Sequence, residues 1–256
     1  MSIDAYTKLL LEFDSDFSDS SASAHTVTSN GTPTIASGVA PTGFNNSAAL
    51  GSGDYLTMDS DTDFDPGTGD FTIDWWQNMT SQPSTGGLFQ TSVSQYAGIT
   101  IITDSNVSAY LSSNGGSWDI AGPQQFATSV PTGEWHHYAI TRNGTTFRLF
   151  QDGIQSVTFE SAASIYPSTT TVQIGRYWHS WYIDSNITEL RVSKGISRWD
   201  SNFTPPDKPY SQGDLPVIKI GGDWKTPVTG KILIGGSWKN ITSTKIYKTD
   251  SWKSIT

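Results

Sequence analysis

The chain reads as all-β: a two-sheet antiparallel jelly-roll sandwich followed by a short C-terminal run of β-hairpins. Three observations predict this. Helical periodicity is scarce, while short alternating runs bounded by Gly, Asn, Asp and Pro recur throughout the 256 residues. The strands so marked fill about 200 residues with no helices between them, the spacing of a sandwich rather than of a parallel α/β sheet. Near the C-terminus, Trp224, Trp238 and Trp252 stand fourteen residues apart, each followed by a lysine. A period that short cannot enclose a core within one unit.

Taken in order, Leu9-Leu10-Leu11-Glu12-Phe13-Asp14 supplies an opening strand and Gly53-Asp54-Tyr55-Leu56 a second. In Phe71–Met79, Phe71, Ile73, Trp75 and Met79 share one face while Thr72, Asp74 and Asn78 share the other, which predicts a half-buried strand. Further strands are expected at 99–103, 107–111, 154–159, 171–176 and 187–193. Trp135–Arg142 and Phe147–Gln151 are separated by Asn143-Gly144, and Asp152-Gly153 follows. Both dipeptides supply the positive φ that tight hairpin turns need. At Phe203–Pro209 three prolines in five residues cannot donate to a central ladder and favour an extended connector. The expected division is therefore 1–206 for the sandwich, 207–214 for a Pro-rich linker and 215–256 for the repeats. Gly221-Gly222 and Gly235-Gly236 sit between Ile-rich runs and the tryptophans, the pattern of hairpins that must bury one face against a neighbour. Trp224, Trp238 and Trp252 are accordingly the expected oligomerisation residues, and a homotrimer packed about a common axis is the favoured state.

Composition excludes several functions. Lys and Arg total 15 against 24 Asp and Glu, a net charge of -9, so there is no basic surface to collect phosphate contacts, and nucleic acid is not an expected partner. Cysteine is absent, which removes disulfides, thiolate metal sites and a thiol nucleophile together. The apolar run at Leu9–Leu11 is too short for a signal peptide, and no stretch approaches the roughly eighteen residues of a membrane span.

Few residues offer catalysis. Glutamate occurs only at 12, 134, 160 and 189, and no strand carries the alternating carboxylates that glycoside hydrolysis requires. Asp70 and Asp74 come nearest to such a pair, against a plain reading as solvated strand-edge acids. Adjacent His136 and His137 point to opposite faces of a strand and cannot chelate one ion. No Gly-x-Ser-x-Gly elbow carries a serine nucleophile. Asp59, Asp61, Asp63 and Asp65 have the spacing of a calcium loop but lack its central glycine and terminal glutamate, and read more simply as turn formers. Aromatics argue better. Tyr177, Trp178, Trp181 and Tyr182 crowd a loop that departs from strand alternation and cannot all face inward, so they offer a stacking platform for a carbohydrate or a protein. The alternative is a lid over the core or a subunit contact. Trp118, in Asn114–Asp119, is a second platform.

Five segments in order resemble the laminin G-like branch of the concanavalin A-like lectin/glucanase superfamily, in the version frequent in phage and bacterial surface proteins. They are Leu9–Asp14, Gly53–Leu56, Gly69–Trp76, Trp135–Ala139 with Leu149–Gly153, and Ile187–Gly195 running to Phe203–Pro206. The resemblance covers roughly 9–206 and implies the jelly roll, but not a chemistry, because the fold carries lectins, adhesion modules and glycosidases alike. A rim calcium site is also implied, with Asp14 matching its first-strand ligand. Thr188 stands where the closing-strand aspartate usually does, and Asp184 is the substitute expected for Ca2+. The tandem repeats lie outside the family pattern and look similar to the C-terminal segments of phage virion proteins. Together these readings give a non-enzymatic phage virion surface protein, a tail fibre or capsid decoration, attaching to host surface glycan or to other virion proteins. The alternatives are a structural spacer or cement protein and, behind it, a polysaccharide hydrolase.

Overall fold

A computed structural model describes residues 2–81, 85–126 and 131–212 and, beyond them, 218–220, 223–225, 231–234, 237–240, 244–248 and 251–255; side chains are described between Ile3 and Tyr210. In chain order the strands begin with β1 (Ser2–Ile3), β2 (Thr7–Leu11), β3 (Thr28–Asn30), β4 (Thr34–Ser37), β5 (Asn46–Leu50) and β6 (Tyr55–Met58). A 3-10 turn at Thr62–Phe64 leads to β7 (Phe71–Met79), β8 (Gly86–Gln90), β9 (Ile99–Thr103), β10 (Val107–Leu111) and β11 (Ala121–Gln125). Next come β12 (Trp135–Asn143), β13 (Thr146–Gln151), β14 (Ile154–Glu160), β15 (Val172–Ile174), β16 (Arg176–Tyr177), β17 (Trp181–Tyr182) and β18 (Ser185–Lys194).

Two antiparallel sheets result. One runs β11-β10-β9-β8-β15-β6-β3, and the other β14-β13-β12-β7-β18-β5-β4 with β2 also paired to β18. Period-2 alternation sends one face of each sheet into a shared core. Phe71, Ile73 and Trp75 of β7 meet Ile99, Ile101, Val107 and Leu111 of the facing sheet within that core. Trp75 has no exposure, stacks on Tyr138 at 5.4 Å and meets Phe126 edge-on at 5.5 Å. Removing roughly 200 Å² of indole from water is worth at most about 5 kcal/mol by area.

Of the two expected hairpin turns, Asp152-Gly153 has both residues at positive φ, 51° and 75°. In the other, Gly144 alone is positive (60°), because the β12–β13 ladder closes on Asn143 with Thr146. Gly153 serves twice. A Cβ there would lie 1.9 Å from the Phe203 carbonyl oxygen, so only glycine lets the chain after β18 run so close to this turn.

That later chain corrects one expectation. The face of β7 carrying Thr72 and Asp74 is not solvated: both residues are fully buried, beneath residues 195–210. Thr72 donates to the Ile196 carbonyl at 3.1 Å and accepts from the Arg198 amide at 2.9 Å. Trp199 and Phe203 stack at 4.0 Å and pack on Ala139 and Phe150 as a second small core. The extended segment after β18 is a strap laid on the sheet, and it ends at Tyr210, which is 1% exposed.

Under the strap, Asp74 receives Nε of Arg191 at 2.9 Å and a terminal guanidinium nitrogen at 3.2 Å, while the Tyr210 hydroxyl donates to its Oδ2. Nε2 of His137 lies 3.6 Å from the same oxygen. Burial alone would raise this carboxyl, but Arg191 and His137 outweigh it and hold it at about 2. A bulge makes the pairing possible. Thr188 opposes Trp76 and Arg191 opposes Asp74, so three steps on β18 match two on β7, with Glu189 at φ 53° inside the bulge. The shift sends Leu190 into the core and turns Arg191 outward.

The chain divides into two compact units, Ala5–Tyr210 and Met1–Asp4 together with Ser211–Thr256. In the second, β1 pairs parallel with β19 (Ser211–Gln212). Three hairpins follow, β20 (Ile218–Ile220) with β21 (Asp223–Lys225), β22 (Lys231–Ile234) with β23 (Ser237–Asn240), and β24 (Thr244–Lys248) with β25 (Ser251–Ile255), each a separate two-stranded sheet. Their registers are equivalent, with Trp224, Trp238 and Trp252 opposite Lys219, Leu233 and Tyr247. The side chains of the three tryptophans, expected to carry self-association, lie outside the described residues, as do the Gly-Gly turns.

Replacing Asp74 with alanine strands the Arg191 charge in the interior and should cost about 3–5 kcal/mol in urea unfolding. The paired replacement Asp74→Leu with Arg191→Met should cost far less than the sum of the two single changes. A strictly additive result would mean that the two side chains do not act as a unit.

Glu189 yields a pH prediction. Burial pushes its carboxyl from 4.5 up to about 8, although the Tyr210 amide donates to it at 2.8 Å. A raised folded-state value means that the folded chain holds this proton more tightly, so its contribution is full below 4.5 and is lost as pH rises through about 8. The melting temperature should fall across that interval, and Glu189→Gln should flatten the slope. An unchanged slope in the variant would assign the pH dependence elsewhere.

Candidate functional site

The outer face of the seven-stranded sheet is built from the residues that alternate with its core. Leu56, Ile174, Phe89, Ile101 and Ala109 point inward. Their neighbours therefore form an outward row across the sheet, Thr28 opposite Thr57, then Gln173, Gln90, Thr100 and Tyr110. Gln90, Thr100 and Gln173 are nevertheless fully buried. What covers Gln90 and Gln173 is the β16–β17 hairpin, folded back over β8.

Two glycines allow that approach. A Cβ on Gly87 would lie 2.2 Å from the Tyr177 amide nitrogen, and one on Gly86 2.6 Å from the Tyr182 carbonyl oxygen. Gln90 accepts from the Trp178 amide at 3.0 Å, while Gln173 accepts from Arg176 Nε at 2.5 Å and donates to the Trp178 carbonyl at 3.5 Å. These bonds hold Trp178 at φ 54°, a left-handed conformation that a bulky residue adopts only when its surroundings impose it. Arg176 lies 3.6 Å over the Tyr55 ring, and Tyr55 in turn contacts Tyr182 at 6.0 Å.

The predicted aromatic residues divide by role. Trp181 is 39% exposed, and Trp178 is half-buried and meets it edge-on at 5.9 Å. Tyr177, expected to face a ligand, instead turns inward at 4% exposure, where it stacks beneath Trp181 at 5.1 Å and donates its hydroxyl to the Gln95 carbonyl at 3.1 Å. Burial and the neighbouring Tyr96 and Tyr110 push its phenol up to about 12. Tyr182 is half-buried. Trp118 packs between Tyr96 at 5.3 Å and Tyr110 at 5.2 Å. Two patches far apart in sequence thus flank one short loop at Gln95-Tyr96. The sequence reading passed over Tyr96, Tyr110, Gln90 and Gln173. Strand alternation could have placed Tyr110, and nothing local marked Tyr96.

The other predicted groups do not converge. Asp74 is sealed in its ion pair, and the partly buried Asp70 accepts from the Gly144 amide at 2.8 Å, so each of the two carboxylates is engaged in a separate contact. Both carboxylate oxygens of Asp184 accept hydroxyl hydrogens at 2.5 Å, from Thr80 and Ser81. Asp14 is half-buried, with its carbonyl accepting from Asn46. Of the acidic run, Asp61 caps the 3-10 turn, Asp63 pairs with Lys8 at 3.7 Å and lies 3.4 Å from His25, and Asp65 accepts from the Ser168 amide. Among the described residues no group of three or more His, Asp or Glu is placed to hold a metal ion. No helix among them is long and apolar enough to cross a membrane.

Known structures share this architecture at low identity. The binding domain of Paraclostridial Mosquitocidal Protein 1 superposes with a TM-score of 0.61 at 12% identity, over 75% of this chain and 50% of that one. Domain 4 of AbnA, a GH43 extracellular arabinanase from Geobacillus stearothermophilus solved in complex with arabinotriose, gives 0.56 at 18%, over 74% and 92%. The receptor binding domain of the botulinum neurotoxin C/D mosaic serotype gives 0.56 at 15%, over 75% and 49%. The chain thus spans about half the length of the toxin domains and nearly all of the arabinanase domain, and at these identities the likeness is one of fold. No curated protein matches it in sequence. The family model of Laminin_G_3 matches residues 50–198, more than half of the chain and most of both sheets, and the protein belongs to that family of the concanavalin A-like lectin/glucanases superfamily.

Proposed function

We propose that the sandwich is a non-enzymatic glycan-binding module and that the protein is a virion surface component of a phage, a tail fibre or a capsid decoration. The observation that carries the binding reading is the ledge at Trp178 and Trp181, where a strained backbone holds indole surface in solvent. A sugar ring stacks its CH face on such a surface while polar neighbours take its hydroxyls. A fold likeness to a domain solved with arabinotriose, and to toxin domains one of which depends on two ganglioside molecules for cell entry, supports the same choice. The burial of Asp74 leaves no carboxylate pair for hydrolysis in this reading. Calcium bound at the rim through Asp14 and Asp184 would stabilise the sandwich in this reading and take no part in chemistry.

The virion assignment leans on the tail. Three hairpins of equivalent register, each only two-stranded, are marginal in water on their own and gain from packing on copies of themselves. A trimer lets three chains present their ledges together.

Binding to a glycan array should be lost in Trp178→Ala and in Trp181→Ala. Trp181→Ala should leave folding stability within about 1 kcal/mol, since much of the ring is already in water, whereas Tyr177→Ala should cost about 3 kcal/mol. A full-length chain that binds no glycan at all would favour the spacer or cement reading.

Truncation after Tyr210 should yield a folded monomeric sandwich, and the full-length chain should scatter light as a trimer. Equal masses per particle, corrected for chain length, would remove the tail as the assembling element.

A further inference from the structure

One side chain ties the ledge to the Trp118 patch. Gln90, fully buried under the β16–β17 hairpin, accepts from the Trp178 amide with Oε1 and donates through Nε2 to the Ser94 carbonyl. A second bond joins the same two segments, from the Tyr177 hydroxyl to the Gln95 carbonyl at 3.1 Å. The loop fixed in this way carries Tyr96, whose ring meets Trp118 edge-on at 5.3 Å, and Trp118 in turn leans on Tyr110 at 5.2 Å. A Cβ on Gly122 would lie 2.9 Å from the Tyr110 ring and 3.0 Å from Trp118 Cβ, so glycine in β11 is what seats the indole. The two aromatic patches are therefore set against each other by bonds on both sides.

Both patches stand on one face. Tyr110 alternates with the core residues Ala109 and Leu111, so it points outward from the seven-stranded sheet, as Gln90 does. Thr100 pairs with both Gln90 and Tyr110, so the ledge above Gln90 and the indole on Tyr110 are two strand spacings apart, about 10 Å. Tyr96, Tyr110, Trp118 and Trp178 are half-buried and Trp181 is exposed, so each keeps accessible surface. The side-chain amide of Gln95, next to Tyr96, is exposed and offers both a donor and an acceptor. Residues 86–126, which form β8 to β11 and their loops, contain no Lys or Arg. Their two acids are engaged locally, Asp104 by the Asn106 amide at 2.8 Å and Asp119 by the Ser113 amide at 2.9 Å. Arg176 is held by Gln173 and lies over Tyr55. An anionic chain would thus meet neither a lysine nor an uncommitted arginine on this floor.

We infer that the ledge and the Trp118 patch are two ends of one extended site for a linear, uncharged polysaccharide, contacted over several consecutive sugar units. The inference rests on the ledge reading and specifies its ligand. One unit stacks at Trp181 and Trp178, a later unit of the same chain stacks at Trp118 and Tyr96, and Gln95 bonds hydroxyls between them. A single sugar ring cannot reach both platforms. Because Gln90 fixes their separation, the second contact follows the first as an intramolecular step and adds affinity that a short ligand does not gain.

The test titrates the full-length chain by calorimetry with linear arabinan, mannan and glucan oligosaccharides, each as disaccharide and hexasaccharide, and with oligogalacturonides as the acidic counterpart. A neutral hexasaccharide should bind about tenfold or more tightly than its own disaccharide, and more tightly than the oligogalacturonide of equal length. Trp118→Ala and Tyr96→Ala should each bring that length ratio toward unity, whereas Trp181→Ala should abolish binding of both lengths. Trp118 is half-buried, so if the alanine variant melts early, Trp118→Leu replaces it, keeping apolar bulk without an aromatic face, and the same collapse of the ratio is expected. Equal affinity for the two lengths in the parent chain overturns the extended site. So does a length preference that survives at both Trp118 and Tyr96, or an acidic series that binds as well as the neutral one. In each of these cases the ledge reading stands as long as Trp181→Ala abolishes binding. If the parent chain binds none of the neutral series while a glycan array finds an acidic ligand that Trp181→Ala loses, the extended site is likewise refuted and the ledge kept. No glycan binding of any kind removes both.

Discussion

Burying Asp74 without any exposure costs free energy that only its immediate surroundings can return. The Arg191 fork, the Tyr210 hydroxyl and the nearby His137 ring do so together, and each comes from a different part of the chain. Arg191 faces the carboxylate because a bulge resets alternation on β18. Tyr210 reaches it because the chain after β18 crosses the sheet instead of leaving it. The ion pair thus ties the end of the strap to the central strand of its sheet. Arg191 also lies 3.8 Å over the Tyr210 ring, so charge, hydroxyl and aromatic face close on one another.

The two sheets solve one problem in different ways. Each has a polar outer face that a later segment of chain covers, and each covered polar group then needs a partner. On the eight-stranded sheet the solution is ionic and rigid. On the seven-stranded sheet it is neutral: Gln90 and Gln173 offer both donors and acceptors to a hairpin backbone whose own groups would otherwise be unpaired. The amide side chains satisfy Trp178 in a conformation it would not choose. The strain of an αL tryptophan, of order 1–3 kcal/mol, is tolerated because several bonds over-determine that position.

Much of the architecture was legible because alternation and turn chemistry are local. Phe71–Met79, 99–103, 107–111 and the Asp152-Gly153 turn carry their own signals, and those strands and that turn formed as read. Asp74 was misread for a physical reason: a carboxylate alternating with apolar residues looks solvated unless its partner is known, and Arg191 lies 117 residues away. Prolines 205, 206 and 209 correctly signalled an extended chain, yet nothing in a proline says whether that chain crosses solvent or lies on a sheet. Trp178 and Trp181 were singled out by crowding alone, which cannot separate Tyr177 beneath from Trp181 above.

Glycan contacts of this kind are individually weak, because a shallow aromatic ledge buries little of the sugar and competes with water for its hydroxyls. An adhesive particle overcomes this through number rather than through depth. Were the tail to pack copies together as proposed, several ledges per assembly would raise the effective concentration of sites around one polysaccharide, provided that they are held at fixed separations. Rigid placement is what the covered outer face provides: the ledge is pinned by the side chains of Gln90 and Gln173. A repeat tail that packs copies together would then multiply sites already fixed on each copy.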